Sequence, residues 1–142
     1  MVVAEGYVFA NGKGTEIWKA QTKSNATAEL ISPAGPVIWD FRVANGTAYY
    51  IDLNGELRSI PAIGGSSSLI AKVSSSAASA QLLLDGSDAI VSVPFATILA
   101  RVKLDGSQTT TLATAQAQLL TDGGKAIYWA EYIRGNIVGL AK

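Results

Sequence analysis

The chain contains no cysteine and no histidine. The first absence excludes disulfides, thiolate nucleophiles and cysteine metal sites. The second removes the commonest general base and the commonest metal ligand. Charge is also scarce. Asp, Glu, Lys and Arg make up 15% of the residues, against about 25% in an ordinary soluble domain. Eleven basic residues offset eleven acidic ones, so the formal net charge is zero. There is no basic footprint for nucleic acid. The opening Met1-Val2-Val3-Ala4-Glu5-Gly6 lacks the basic start and long apolar stretch of a secretion signal. No apolar run approaches the ~20 residues of a membrane-spanning helix. The expectation is a soluble chain with no cofactor and neither a membrane nor a nucleic acid as partner. The compartment stays open, secreted and periplasmic included.

What is present is apolar and repetitive. Hydrophobic residues are 49% of 142, which excludes a disordered tail. Four segments line up: Val8-Phe9-Ala10-Asn11, Tyr49-Tyr50-Ile51-Asp52, Ile90-Val91-Ser92-Val93 and Tyr128-Trp129-Ala130-Glu131. Their starts are 41, 41 and 38 residues apart. A second series, Ile17, Leu57, Leu99 and Ile137, keeps spacings of 40, 42 and 38. A third is Leu30, Leu69 and Leu112, spaced 39 and 43. Turn pairs fall between the segments. Asn45-Gly46, Asp85-Gly86 and Asp122-Gly123 supply the positive φ that short hairpin turns need.

Each unit of about 40 residues therefore reads as four short strands, the signature of a β-propeller blade. We label the strands of a blade a (innermost) to d (outermost). The predicted fold class is all-β. It is one propeller arc over residues 1–142, with repeats near 1–35, 36–76, 77–115 and 116–142. Repeat two has strands at Ile38–Val43, Thr47–Asp52, Glu56–Ile60 and Ser68–Val73. Repeat three has them at Ala80–Leu84, Ala89–Val93, Ile98–Leu104 and Thr110–Ala113. Repeat four stops after Gln118–Thr121, Ala126–Glu131 and Asn136–Ala141. Repeat one has b, c and d, with Met1–Ala4 left for a short a strand. That is fourteen strands, or three and a half blades, too few to close a ring in the same chain. An open arc leaves apolar blade faces bare, and such faces predict association. A homodimer of two arcs is the simplest closure. A piece of a longer propeller, excised or engineered, is the other.

Tyr128-Trp129-Ala130-Glu131 resembles the Tyr-Trp-Thr-Asp tetrad of the YWTD class of six-bladed propellers, and Tyr49-Tyr50-Ile51-Asp52 is a looser copy. Val102-Lys103-Leu104-Asp105-Gly106-Ser107 and the following Thr110-Thr111-Leu112 resemble that class's c strand, its turn and its d strand. Ala130 and Glu131 stand where the class has Thr and Asp, and repeat three has lost the tetrad. The resemblance implies the propeller fold. It also implies that Asp52 and Glu131, at the fourth tetrad position, help hold neighbouring blades together. Function is read from sites and not from the fold.

Few residues suggest chemistry. Asp85, Asp105 and Asp122 each precede Gly and read as turn formers. Asp40 lies on an innermost strand, where it is a candidate contact for a ligand in the channel. Ser residues are plentiful but lack a His partner and a G-x-S-x-G elbow. Asn11-Gly12-Lys13-Gly14 falls in a b–c loop with no helix after it, so it is not a phosphate loop. Asn25-Ala26-Thr27 and Asn45-Gly46-Thr47 match N-x-[ST], and Asn45 also supplies a turn. Phe95 in the third b–c loop, and Tyr132 and Arg134 in the fourth, are candidate binding residues. Tyr and Arg are enriched in interface hot spots. In propellers these loops rise on one face beside the d–a connections, where ligands usually bind. The leading reading is a non-enzymatic binding or scaffolding module with a protein or carbohydrate ligand. It assembles with copies of itself. The runner-up is a hydrolase using channel carboxylates such as Asp40. A third reading is an engineered or excised segment with no ligand of its own.

Overall fold

A computed structural model describes every residue except Lys13, Pro33, Ala34 and Tyr132. Fifteen strands are present among the described residues, in four antiparallel sheets that are each a simple meander. Blade one holds β1 (Val2–Ala4), β2 (Tyr7–Gly12), β3 (Glu16–Gln21) and β4 (Glu29–Ser32). Blade two holds β5 (Ile38–Ala44), β6 (Thr47–Asp52), β7 (Glu56–Pro61) and β8 (Ser68–Lys72). Blade three holds β9 (Gln81–Asp85), β10 (Asp88–Val93), β11 (Ile98–Lys103) and β12 (Thr109–Thr114). Blade four has three strands, β13 (Ala117–Asp122), β14 (Ala126–Glu131) and β15 (Asn136–Ala141). The expected fourteen strands become fifteen because Val2–Ala4 pairs with Tyr7–Phe9. The turn that permits this is Glu5-Gly6, with φ of 53° and 78°. A Glu in the left-handed region carries no sequence signal for such a turn. Asn45-Gly46, at 50° and 69°, makes the same turn with residues that do.

The blades pack face to face, and the core lies between them. One cluster joins blades one and two through Phe9, Ile17, Ile31, Phe41, Tyr50 and Ile60. A second joins blades two and three through Ile51, Leu57, Leu82, Val91, Val93 and Val102. A third joins blades three and four through Ile90, Leu99, Ala117, Ile127 and Trp129. Inner blades are thus covered on both sides. Strand β10 is buried at all six positions, which is why Ala89-Ile90-Val91 is a consecutive apolar run rather than an alternating one, and why its buried polar residues Asp88 and Ser92 are each partnered.

Local hydrogen bonds carry the repeat. At the end of each c strand a backbone N–H donates into the a–b turn of its own blade: Thr22 to Gly6, Ala62 to Gly46, Leu104 to Ser87 and Lys142 to Lys125, at 2.8–3.1 Å. The donors are 40, 42 and 38 residues apart, the same spacings as the Ile17 series. Three members of that series, Ile17, Leu57 and Leu99, each sit where the c–d register shifts by a bulge. The extra residue of each bulge is Ile31, Ile70 or Leu112, and all three pack into the interblade clusters. Leu30 and Leu69 of the third sequence series are exposed instead. A bulge turns the strand by one residue, and a one-residue shift exchanges faces. The same reasoning moves the first tetrad-like anchor from Val8 to Phe9. Counted from the a–b turns, Phe9, Tyr49, Ile90 and Tyr128 occupy one repeat position.

Candidate functional site on the loop face

Two polar side chains on the inner strands join neighbouring blades. Asp40 on β5 accepts the backbone N–H of Leu82 on β9 at 2.9 Å. Gln81 on β9 accepts that of Leu120 on β13 at 2.8 Å. Asp40 pairs with Ile51 and Gln81 with Ser92 across their sheets, so the two side chains are repeat equivalents. Asp40 also takes the N–H of Phe41 and the guanidinium of Arg42. Both its oxygens have partners within the protein, and among the described residues no second carboxylate shares them. Two b-strand side chains add further ties. Asn11 donates to the carbonyl of Ile38 at 3.0 Å, and Ser92 donates to that of Ala117.

These ties replace the role that the tetrad resemblance implied for Asp52. Asp52 is fully buried, but its Oδ1 accepts Asn54 N–H at 2.9 Å and Glu56 N–H at 3.1 Å, both in its own b–c turn. It fixes that turn rather than the next blade. Glu131 likewise faces its own loop, with Oε2 3.7 Å from Nη1 of Arg134.

Two of the three expected turn aspartates fix turns, while Asp85 ends β9 and its carboxylate takes Lys142 instead. Asp105 accepts the N–H of Ser107 at 2.9 Å and Asp122 that of Gly124 at 2.7 Å. The hydrogen-bonded Lys142 ammonium holds the Asp122 carboxyl below the usual carboxylate range. Asp122 and Asp85 together raise the lysine above its own range. Lys142 Nζ lies 2.8 Å from both carboxylates. It joins the a–b turns of blades three and four.

The opposite face carries the b–c loops and d–a connections, and they are hydrogen-bonded to each other. Gly55 O accepts Val73 N–H at 2.8 Å, and Thr97 O accepts Ala115 N–H at 3.0 Å, in blades two and three. In blade three the b–c loop is a 3₁₀ turn over Pro94–Ala96, opened by a proline whose fixed φ suits its first position. Thr97, at φ 53°, ends it. This turn lifts Phe95 to 74% exposure. In blade four the loop closes by Gly135 N–H to Glu131 O at 2.9 Å. It leaves Ile133 at 76% and the Arg134 side chain at 75% exposure.

Between these loops lies a groove of about 310 Å³, lined by Thr97, Thr114, Ala115, Gln116, Glu131, Ile133 and Arg134. Phe95 stands two residues from Thr97 on the same turn. Arg134 lines the groove, and Phe95 stands on the b–c loop of the preceding blade without lining it. Asp40 is on an inner strand, and Tyr132 lies outside the described residues. Ile133 and the Thr114–Gln116 connection also line the groove and are absent from the sequence reading. Ile133 adjoins Tyr132 and Arg134, and a bare Ile between two polar residues in a turn was the available signal. The groove offers two apolar side chains, one cation, one carboxylate, two hydroxyls and an amide. This set suits recognition. Among the described residues no group of three acidic, His or Cys side chains converges to hold a metal.

No protein-family model and no curated protein sequence matches the chain. Solved structures do. The computationally designed protein Ika8 superimposes with a TM-score of 0.75 at 10% identity, over 99% of this chain and 44% of that one. A chain of a nidogen/laminin complex superimposes with a TM-score of 0.70 at 18% identity, over 94% of this chain and 55% of that one. The chain therefore spans about half the length of each. At these identities the likeness is one of fold, and the fold is that of β-propeller blades.

Proposed function

We propose that the chain is a non-enzymatic binding or scaffolding module, and that it assembles with copies of itself to complete a ring. One observation carries the binding reading. Phe95, Ile133 and Arg134 each stand about three-quarters exposed on neighbouring loops of a single face. Large apolar side chains on rigid turns lose little conformational entropy on binding. A nearby Arg adds a directional donor. The complementary partner is a protein segment with an apolar side chain flanked by a carboxylate or carbonyl acceptors. The nidogen/laminin structure supports this only as precedent for the fold in a protein–protein complex. The self-assembly reading is supported by the bare faces at the two ends of the arc.

The test is selection of binders to the folded chain from a displayed random-peptide library. Selected peptides are expected to carry an aromatic or aliphatic residue near an acidic one. Phe95→Ala and Arg134→Ala are each expected to weaken them by tenfold or more, about 1.4 kcal/mol, with the circular dichroism spectrum unchanged. Binders unaffected by either change would place recognition elsewhere.

A further inference from the structure

The two ends of the arc present opposite faces of the same repeating interface. We call the face toward the following blade the forward face and the other the backward face. On the forward face Ile17, Leu57 and Leu99 are each 0% exposed, while their equivalent in blade four, Ile137, is 81% exposed. Tyr128 is 40% exposed, whereas its equivalents Phe9 and Ile90 are buried under the next blade. The Tyr128 ring lies over Gly139, where a Cβ would come within 2.8 Å of it. Ala130 and Ala126 complete an apolar surface. The polar ladder also ends there. Asp40 and Gln81 reach across to the next blade, and their equivalent Gln118, opposite Ala130, has no side-chain hydrogen bond among the described residues.

The backward face of blade one shows the complement. Val8 and Ala10 on β2 correspond to Ala48 and Tyr50, to Ala89 and Val91, and to Ile127 and Trp129, which are all buried. In blade one both are partly exposed. Val3, beside Val8, is 68% exposed, while Val43 and Leu84, at its position in blades two and three, pack into the cores. Trp18 and Leu30 extend this surface on β3 and β4.

We infer that the forward face of blade four docks on the backward face of blade one of a second copy, head to tail, at both junctions of a two-fold ring. This rests on the self-assembly reading above and names its surfaces. The occupant follows from continuity. The chain builds the forward-to-backward contact three times internally, and the forward face of blade four and the backward face of blade one are complementary halves of the same contact. Four blades per copy make eight for two copies, within the roughly 4–8 blades that close propellers. At the new junction Gln118 stands where Asp40 and Gln81 stand in blades two and three. By the β1–β2 register the partner copy's Met1, just before β1, is the equivalent of Leu82, so the donor that Gln118 would meet is the amine of Met1.

The test compares light-scattering masses of the chain with those of Val3→Asp, Ile137→Asp and the control Ile63→Asp. Ile63 is 86% exposed in a c–d connection, away from either end face. All three sites are largely exposed in the single chain, so its fold does not depend on them. Wild type and the control are expected at twice 14.7 kDa. Each end-face variant is expected to dissociate at least a hundredfold more readily. An equimolar mixture of the two end-face variants is expected to regain dimer, because one junction then pairs two unaltered faces. A wild-type monomer at all concentrations would overturn both self-assembly and this pairing. A wild-type dimer in which Val3→Asp changes nothing would overturn only the pairing and point to blade four meeting blade four. A mixture that stays monomeric would also overturn the pairing.

Discussion

Replacing Trp129 by Ala is expected to lower stability by about 3–5 kcal/mol, the range for deleting a large buried aromatic. Trp129 is 4% exposed and anchors the cluster between blades three and four. It packs there with Ile90, Leu99, Ala117 and Ile127. Blade four lacks an outer strand, so this cluster is its main attachment. The loss is expected to appear as a lower urea midpoint at fixed protein concentration, since association contributes to apparent stability. Trp129→Phe is expected to cost far less, about 1–2 kcal/mol. The indole N–H is buried and has no hydrogen-bond partner among the described residues. Losing it therefore breaks no bond, and only volume is removed. Equal losses for the two variants would mean that the N–H is bonded after all.

Gly55→Ala is expected to be the second largest single-site effect, about 2–5 kcal/mol from positive φ and overpacking together. Gly55 has φ of 75°, and a Cβ there would lie 2.4 Å from Ser74 O and 2.8 Å from Ser74 C. Both atoms are backbone, held by the bond from Val73 N–H to Gly55 O. The b–c turn would have to part from its d–a connection. Gly46→Ala provides the comparison. Its φ is 69°, but nothing lies within 4 Å of the added Cβ. It should show the conformational cost alone, about 1–2 kcal/mol. Urea denaturation of the pair separates strain from clash, and equal shifts would remove the claim of close loop packing.

The repeat was legible because it is written in local chemistry. Gly-containing turns and apolar b strands placed Thr47–Asp52 and Ala126–Glu131 to the residue. The sequence was misleading where local chemistry was silent. Glu5 adopts a left-handed turn without being a turn residue, which left the short a strand expected in Met1–Ala4 out of the strand count and slipped the first anchor by one. The c–d bulges exchange Leu30 for Ile31 and Leu69 for Ile70 as the residues that pack into the interblade clusters, and nothing in an apolar run marks which residue is doubled. The ties between blades join residues 25–42 apart in the chain, so they exist only once the blades are stacked. One trace of them was present. Asp40, Gln81 and Gln118 are polar residues recurring near the repeat period at the start of largely apolar inner strands.

On the proposed binding face, Phe95 and Arg134 were legible as loop residues of interface type. The groove that Arg134 lines was not, because Thr97, Thr114 and Gln116 reach it from two different loops. Asp40 drew attention as a carboxylate on an inner strand. Its neighbour across the blade gap, Leu82 N–H, explains it as a structural acceptor.

Sedimentation equilibrium of the unaltered chain, over a thousandfold range of concentration, tests the central claim most directly. The account predicts a single species of twice 14.7 kDa that dissociates only at the dilute end, with thermal stability rising with concentration. A folded 14.7 kDa monomer throughout, with Val3 and Ile137 left in water, would contradict it.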